Sequence, residues 1–537
     1  MIQFDMTETP YMTRRYPVVA RNGMVCTGSS AAANAGLRIL QAGGNAVDAA
    51  IATAAALTVV EPSANGIGSD MFALTWMKDE LYGLNSSGKS PSLLSIDNVK
   101  NKHGDISKMP TFGWTPVTVP GAPKGWIELS KKFGKLPFKK LLEPAIDYAM
   151  NGFALSGSLA HAWNSAYKRY LMEENQSELE GWYQTFLVNG EVPKEGDIIT
   201  LKDHGRTLQL IADSDADEFY MGSLASIMEE ESIKANGFLR RADLEAHEAL
   251  WVEPISVNYR GYDIWEIPPN GQGIVALMGL NILKEFSFVK RDTLSYHRQF
   301  EAMKMAFADG QHYVSDVDHM KIDYKNLLLP EYGKKRSVEI TETAKEYLPD
   351  SPPKSGTVYL CTADAEGNMV SLIQSNYFGF GSGIVVKGTG ISLQNRGHDF
   401  SLDEKDVNVL KPNKRSYHTI IPGFITKNNQ AVGPFGVMGG YMQPQGHIQV
   451  VMNLIDYQLN PQAALDAPRW QWMKGKEFIV EKDFDNAIAK KLKDMGHRIN
   501  FDIDTALFGR GQIIIRKENG VLVGGTESRT DGCIASW

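Results

Sequence analysis

The spacing of apolar positions changes several times along the chain, and each change marks an element. From Ala31 to Gln41, alanines and leucines recur three and four apart, which predicts a helix that Gly43-Gly44 stops. Asn45 is placed to cap a second helix that runs to about Val60 and ends before Pro62. Its sequence is apolar nearly all round, so it belongs inside the molecule. A strand precedes this pair within residues 23–62, and residues 72–85 read as a hairpin turning at Lys78-Asp79.

Residues 100–250 read as mostly helical, for example over 125–132 and 141–151, with Pro116, Pro120, Gly121, Pro123 and Gly134 as punctuation. Residues 251–267 alternate as two strands around Arg260-Gly261, and 271–285 and 294–308 read as helices. Residues 330–356 mix prolines, lysines and glutamates without a period and read as an exposed, flexible linker. The period then becomes two. Thr357–Ala363 and Met369–Ser375 are β-rich runs joined by Asp364, Ala365, Glu366, Gly367 and Asn368, a hairpin signal. A glycine-rich loop (379–383), a strand (431–440) ending in Gly439-Gly440, a helix (443–457) and a hairpin (512–525) turning at Asn519-Gly520 follow. Strand hairpins flanked by long apolar helices favour a layered α/β fold with helices on both faces of sheets.

Composition narrows the class. The chain has 537 residues, 43% hydrophobic and 22% charged, which excludes a disordered chain, a collagen-like repeat and a coiled coil. A net charge of −8 with no basic block argues against a nucleic-acid partner. Only Cys26, Cys361 and Cys533 are present, so no disulfide framework or CxxC metal site is expected. The longest apolar run, Ala49 to Val60, is too short to span a bilayer, so no membrane partner is expected either. Asp5, Thr7, Glu8, Thr9 and Pro10 fall where a signal peptide would need its apolar run, which favours a cytoplasmic location.

The most literal motif is Gly83–Ser90, which fits the phosphate-cradling pattern G-x-x-x-x-G-K-[ST]. Its flanks do not fit, because a short charged hairpin strand precedes it and Pro91 follows. Gly379, Gly381 and Gly383 have no helix after them, and Asp316, Asp318 and His319 read as a solvated loop rather than metal ligands. Ser-His-Asp hydrolysis lacks a G-x-S-x-G elbow. Gly356-Thr357 remains. Many strands begin with threonine, but this one follows the linker. A cut before Thr357 would expose an α-amino group with a pKa of roughly 7.7–8.0 on the same residue as the hydroxyl, able to serve as its base.

A family resemblance sharpens this. GMVCTGSSAAANAGLRILQAGGNAVDAAIATAAALTVVEPSANGIGSD (23–70), TPVTVPGAPKGW (115–126), LLEPAIDYAMNGF (141–153) and the run 238–273 resemble gamma-glutamyltranspeptidases. SGTVYLCTADAEGNMVSLIQSN (355–376), PNKRS (412–416), GVMGGYMQPQGHIQ (436–449) and LNPQAALDAPRW (459–470) continue the match in collinear order. The resemblance implies the N-terminal nucleophile hydrolase fold, a four-layer αββα sandwich, in a precursor that cuts itself in two. Residues 1–356 would be a helix-rich large subunit contributing one side of the sandwich, and 357–537 a small subunit starting with the nucleophile. It implies a small-molecule amide substrate and no cofactor, and leaves open a homo-oligomer of the processed heterodimer.

Carried over by position, Gly356-Thr357 is the cleavage site, Thr357 the nucleophile and Ser375 its supporting hydroxyl. Gly439 and Gly440 supply the oxyanion hole, and Asp399 holds the substrate's α-amino group. Asn395, Arg396, Asn376, His418, Thr419 and Ser87 complete the expected binding residues. Three of these depart from the family pattern. The arginine of R-E-x-A-P is Ser87 here, the Ser-Ser pair is His418-Thr419, and a glutamine-like position is Arg396. Either Arg396 or Lys89 is placed to restore the missing positive charge, or the substrate lacks the matching carboxylate. The expected activity is a γ-glutamyl or related amide cleavage. The alternatives are a cephalosporin or other N-acyl amide acylase, a nucleotide binder using Gly83–Ser90, and a binding relative that never processes.

Overall fold

The strand Gly23–Thr27 leads into two helices, Ser30–Gln41 and Ala46–Val60. The computed structural model describes residues 15–347 and 356–537, with Ile2, Gln3, Asp5, Pro10, Tyr11 and Thr13 before them. Asn45 caps the second helix as its sequence suggests. Its side-chain oxygen accepts from the amides of Val47 and Asp48, and the Asp48 carboxylate accepts from the Asn45 amide. Every residue of that helix is buried.

Two seven-stranded antiparallel sheets form the centre. One runs in the order Cys533–Ser536, Gly23–Thr27, Gly356–Asp364, Met369–Tyr377, Asp70–Met77, Glu80–Ser86, Leu250–Val252. The other runs Val18–Ala20, Leu522–Thr526, Arg510–Arg516, Gln430–Met438, Gly423–Lys427, Tyr262–Glu266, Ile255–Tyr259. Side chains on Gly356–Asp364 alternate as a strand buried on both faces must. Val358 and Leu360 pack with Ala50 and Ala54 of the Ala46–Val60 helix. Tyr359, Cys361 and Ala363 pack between the sheets with Phe424 and Ile514. Gly273–Leu283, Thr293–Tyr313 and Met442–Ile455 cover the far face of the second sheet. The result is helix, sheet, sheet, helix.

Two expectations need correction. Residues before 357 do not form one side of the sandwich: they give four strands to the first sheet and three to the second. Both halves of the chain are thus interleaved in each sheet. The expected linker is also ordered over its first part. Pro330–Ser337 is a helix with Pro330 in its first turn, where a missing N–H is harmless. Arg336 pairs there with Asp309 and Glu339. The following stretch is pinned to its surroundings: Lys304 Nζ donates to the Lys345 carbonyl at 2.6 Å and the Ala344 amide to that of Met495 at 2.8 Å. Residues 348–355 of the expected linker lie outside the described residues.

The helix and hairpin expectations elsewhere hold, with Met442–Ile455 for 443–457 and a turn at Lys78-Asp79, both of positive φ. Among the described residues no helix is long and apolar enough to cross a membrane.

Candidate active site

Thr357 is the second residue of its strand and is fully buried. Tyr359 and Cys361 point between the sheets, and the alternation carries Thr357 to the same side, with a register shift between Gly356 and Val358. The neighbouring strand brings Ser375 beside it. Ser375 Oγ lies 2.9 Å from Thr357 Oγ1 and 2.9 Å from the Gly356 carbonyl oxygen, and accepts from the Tyr377 amide at 2.8 Å. A serine has one proton to give. It goes to the Gly356 carbonyl, so the Thr357 hydroxyl is the donor in the Thr357–Ser375 bond.

In the facing sheet, Gln430–Met438 ends at Gly439 and Gly440, whose φ angles are 135° and 61°. Such angles favour glycine, and they turn the chain out of the ladder. The Gly440 carbonyl is held by Gln272 Nε2 at 2.8 Å, and the same nitrogen donates to the Thr419 carbonyl at 2.7 Å. Gln272 thus ties the glycine turn to the His418-Thr419 loop.

Beyond Ser375, the expected binding residues divide. Arg396, Asp399 and Thr419 come together. Arg396 Nη1 donates to Thr419 Oγ1 at 2.8 Å and lies 3.4 Å from Asp399, whose other oxygen accepts from the Tyr377 hydroxyl at 2.5 Å. The guanidinium stacks over the Tyr377 ring, 4.0 Å from its centroid. Its Nε and Nη2 are buried without a hydrogen-bond partner. Unpaired buried donors are costly, so this fork is shaped for an acceptor.

His418 and Ser87 sit behind this group. His418 Nε2 donates to Asp70 at 3.0 Å, while its Nδ1 accepts from the Ile420 amide. Burial, with Arg396 nearby, drives its pKa well below the usual value, so the ring is neutral. Burial raises the Asp70 carboxyl to about 7, against the opposing pull of Arg396 and the Gly88 amide. Ser87 Oγ donates to Asn85 at 2.7 Å and accepts from Asn270.

Asn395 and Asn376 are brought elsewhere. Asn395 spends both ends of its amide on backbone, accepting from the Phe378 amide and donating to the Thr111 carbonyl. Asn376 points to the opposite face of its strand from Ser375, as the period of two requires, and accepts from Ser69 Oγ at 2.8 Å. Lys89 is exposed, so of the two candidate cations only Arg396 reaches the interior.

Gly83–Ser90 does not cradle a phosphate. Residues up to Ser86 are strand, a Cβ on Gly88 would lie 1.6 Å from the Val119 carbonyl oxygen, and the Gly88 amide faces the Asp70 carboxylate. Asp316, expected in a solvated loop, is buried and accepts from the Arg415 amide at 2.7 Å.

Sequence reasoning missed Tyr377, Asp70 and Gln272. A signal existed for the first two: Tyr377 shares the face of Ser375 two residues on, and Asp70 is the one charged residue of a mostly apolar strand, directly across from Ser375.

A gamma-glutamyltranspeptidase family profile matches residues 32–537. The chain belongs to the gamma-glutamyltranspeptidase family. A glutathione hydrolase-like proenzyme, YwrD, of Bacillus subtilis is 36% identical over 96% of this chain and 98% of that protein. The oxamate amidohydrolase proenzyme of Klebsiella pneumoniae is 31% identical over 97% and 99%. Among solved structures, the cephalosporin acylase from Bacillus halodurans is 54% identical, with a TM-score of 0.95 over 100% of this chain and 99% of that one. The fold is therefore that of the N-terminal nucleophile hydrolases, and the chain is an enzyme whose relatives bear the names of hydrolases. Within the gamma-glutamyltranspeptidase family, the three departures seen in sequence gather in one place. Arg396 reaches Thr419 and Asp399, His418 bonds Asp70, and Ser87 precedes Gly88, whose amide also donates to Asp70.

Proposed function

We propose that this enzyme is a self-processing amidohydrolase that works through a threonyl acyl-enzyme. The observation that carries the proposal is the 2.9 Å contact of Ser375 with both the Thr357 hydroxyl and the Gly356 carbonyl. In maturation, Thr357 Oγ1 attacks the Gly356 carbonyl carbon while the Ser375 hydroxyl polarises its oxygen. The amide becomes an ester, and water releases residues 1–356 from 357–537. The freed α-amine then takes the hydroxyl proton when Thr357 attacks substrate and passes it to the leaving amine. The N–H groups of Gly439 and Gly440 receive the oxyanion; such a donor is worth about 3–4 kcal/mol of barrier.

The acyl half of the substrate lies against Arg396 and Asp399. Arg396 Nε and Nη2 fit a carboxylate, and Asp399 fits an ammonium, so an acyl group bearing either or both is the expected class. Two relatives frame it: a γ-glutamyl group bears both charges, and the oxamate named for one relative bears a carboxylate. The 54% identity to a cephalosporin acylase favours a second reading, an N-acyl amide acylase on the same nucleophile.

Mass spectrometry of the purified protein should find two chains split before Thr357, and Thr357→Ala should stay whole and inactive. A whole chain that hydrolyses amides would refute the mechanism. A panel of γ-glutamyl amides, oxamate and β-lactam side-chain amides separates the two substrate readings.

A further inference from the structure

In the proposed turnover the base is the α-amine of Thr357. Before the cut that nitrogen is the amide of the Gly356–Thr357 bond, its lone pair is delocalised into the carbonyl, and it cannot take a proton. Self-cleavage therefore needs a different base. The Ser375 hydroxyl is not one, since its single proton already goes to the Gly356 carbonyl. Asp70, directly across the sheet from Ser375, has both oxygens engaged, with His418 Nε2 at 3.0 Å and the Gly88 amide at 3.2 Å.

The helix Ala46–Val60 supplies another acid, because it ends against the bond to be cut. A Cβ on Gly356 would stand 3.4 Å from the Ser63 carbonyl oxygen and 3.5 Å from Ala64 Cα. The Asn376 amide donates to the Ala64 carbonyl and the Phe380 amide to that of Ser63. Asn65 Nδ2 donates to the Glu61 carbonyl at 2.9 Å, and Asn65 Oδ1 accepts from Gln374, the residue before Ser375, at 2.7 Å. The turn that carries Glu61 is thus tied to the strand that carries Ser375.

Glu61 and Thr357 wall the same void, about 10 Å³, the space of one water. A buried water needs polar partners, and these walls supply them. Gln512 lines the void as well, and its Oε1 is buried without a hydrogen-bond partner. Among the described residues the Glu61 carboxylate accepts no hydrogen bond. Its nearest charge, Arg510, lies at 3.7 Å, longer than a hydrogen bond. Glu61 and Arg510 also line a wider void of about 90 Å³, where Asp531 is the other charged group. Burial lifts the Glu61 carboxyl to about 7, with Arg510 pulling it down and Asp531 pushing it up. A carboxyl that titrates near neutrality can both take a proton and return it.

We propose that Glu61 is the acid–base group of self-cleavage, exchanging protons with Thr357 through one water held in this void. The inference rests on Thr357 being the nucleophile. The Thr357 hydroxyl proton, directed to Ser375 at rest, turns to the water, and the water passes a proton to the Glu61 carboxylate. Thr357 Oγ1 bonds to the Gly356 carbonyl carbon, whose oxygen takes up the displaced electron pair. The carbonyl then reforms and the bond from that carbon to the Thr357 nitrogen breaks. The nitrogen takes the proton back from Glu61 through the same water and becomes the amine. Up to the ester no proton is gained or lost.

The test follows splitting of the full chain made by cell-free synthesis, with a short isotope pulse and a chase at fixed pH. Wild type should split faster as pH rises from 5 and level off above about 7, as Glu61 ionises. Glu61→Gln has the same shape but no proton to exchange, so it should split about 100-fold more slowly and lose that rise. Asp70→Asn removes the other carboxyl that titrates in this range and should keep the rise. Glu61→Ala should be as slow as Glu61→Gln and be accelerated by formate, entering from the wider void, but not by formamide of the same size. Splitting of Glu61→Gln at the wild-type rate would overturn the proposal. So would a rise with pH that survives Glu61→Gln but is lost in Asp70→Asn, or a Glu61→Ala chain that formate and formamide affect alike. The nucleophile is read separately: splitting of Thr357→Ala would sink Thr357, whereas an undiminished Glu61→Gln beside a whole Thr357→Ala sinks Glu61 alone.

Discussion

Ser375 Oγ stands 2.9 Å from Thr357 Oγ1, and its single proton is already committed to the carbonyl of Gly356. In the proposed self-cleavage, one hydroxyl would both orient the attacking oxygen and polarise the bond under attack. Ser375→Ala should slow the appearance of the two chains by about 10- to 100-fold, the range of a hydrogen bond worth about 1.5–3 kcal/mol. Ser375→Thr should process at nearly the wild-type rate. A time course of chain masses after purification of each variant measures this, and an unchanged rate in the alanine variant would remove Ser375 from the reaction.

Arg396 offers two buried donors and Lys89 none, so the charge that selects the acyl group should be lost with Arg396 alone. Arg396→Met should raise KM for a carboxylate-bearing acyl group by about 10- to 100-fold. It should leave KM for an uncharged acyl amide within a few fold. Equal loss on both substrates would mean that Arg396 serves packing only.

Asp70 is fully buried, and burial lifts its carboxyl to about 7, with Arg396 pulling the other way. Glu61 is lifted by burial to about 7 as well, against Arg510. Unfolded, both groups ionise near pH 4. Through these two groups the folded state holds more protons between about pH 4 and 7, and their contribution to stability falls as pH rises through that window. Histidines held neutral by burial, among them His418 and His447, pull the other way over the same range, so the test is a difference between proteins. From pH 5 to pH 8 the melting temperature of Asp70→Asn should move upward relative to wild type. A gap that stays constant over that range would contradict the assignment.

His447 holds the strand that ends at Gly439 and Gly440. Its Nε2 accepts from the Val437 amide at 3.2 Å, so Nδ1 carries the proton and donates to Glu266 at 2.6 Å. Both partners are fully buried. His447→Ala would strand a buried carboxyl and a buried amide, each at a cost of about 1–3 kcal/mol. Denaturant titration should show that loss. The surviving folded fraction should process slowly, because Val437 lies two residues before Gly439.

Mg-ATP should leave the melting temperature unchanged, since Gly88 is pressed against the Val119 backbone and its amide faces a carboxylate. A rise of several degrees that saturates with nucleotide would reopen the phosphate-loop reading.

The candidate site was legible where chemistry follows strand period. Thr357, Ser375 and the glycine pair each sit at the start or end of a run whose alternation is plain in sequence. Asn376 shows the same rule from the other side: one residue past Ser375, it faces the helices. Asn395 was less legible, because it lies in a loop with no period, and only the packed loop shows its amide bonded to the backbone of Thr111 and Phe378. Over 330–347 the expected linker is largely exposed, as its polar composition suggests, but it is not without order. Pro330–Ser337 is a helix whose Arg336 is held by buried Asp309, and the Lys345 carbonyl accepts from buried Lys304.

By itself the sequence determined most of the elements and singled out Thr357 as the candidate nucleophile. Helix and strand periods, the Asn45 cap and the Asp364–Asn368 turn are local, and local spacing suffices to set them. Tertiary structure alone decided which side of Thr357 each charge occupies. Asp70, Arg396, Glu61 and Arg510 are hundreds of residues apart in places, and nothing near any one of them in the chain specifies its neighbours. Sheet order does: interleaving both halves of the chain in both sheets puts Arg396 and Asp399 on one flank of Thr357 and Glu61 and Arg510 on the other.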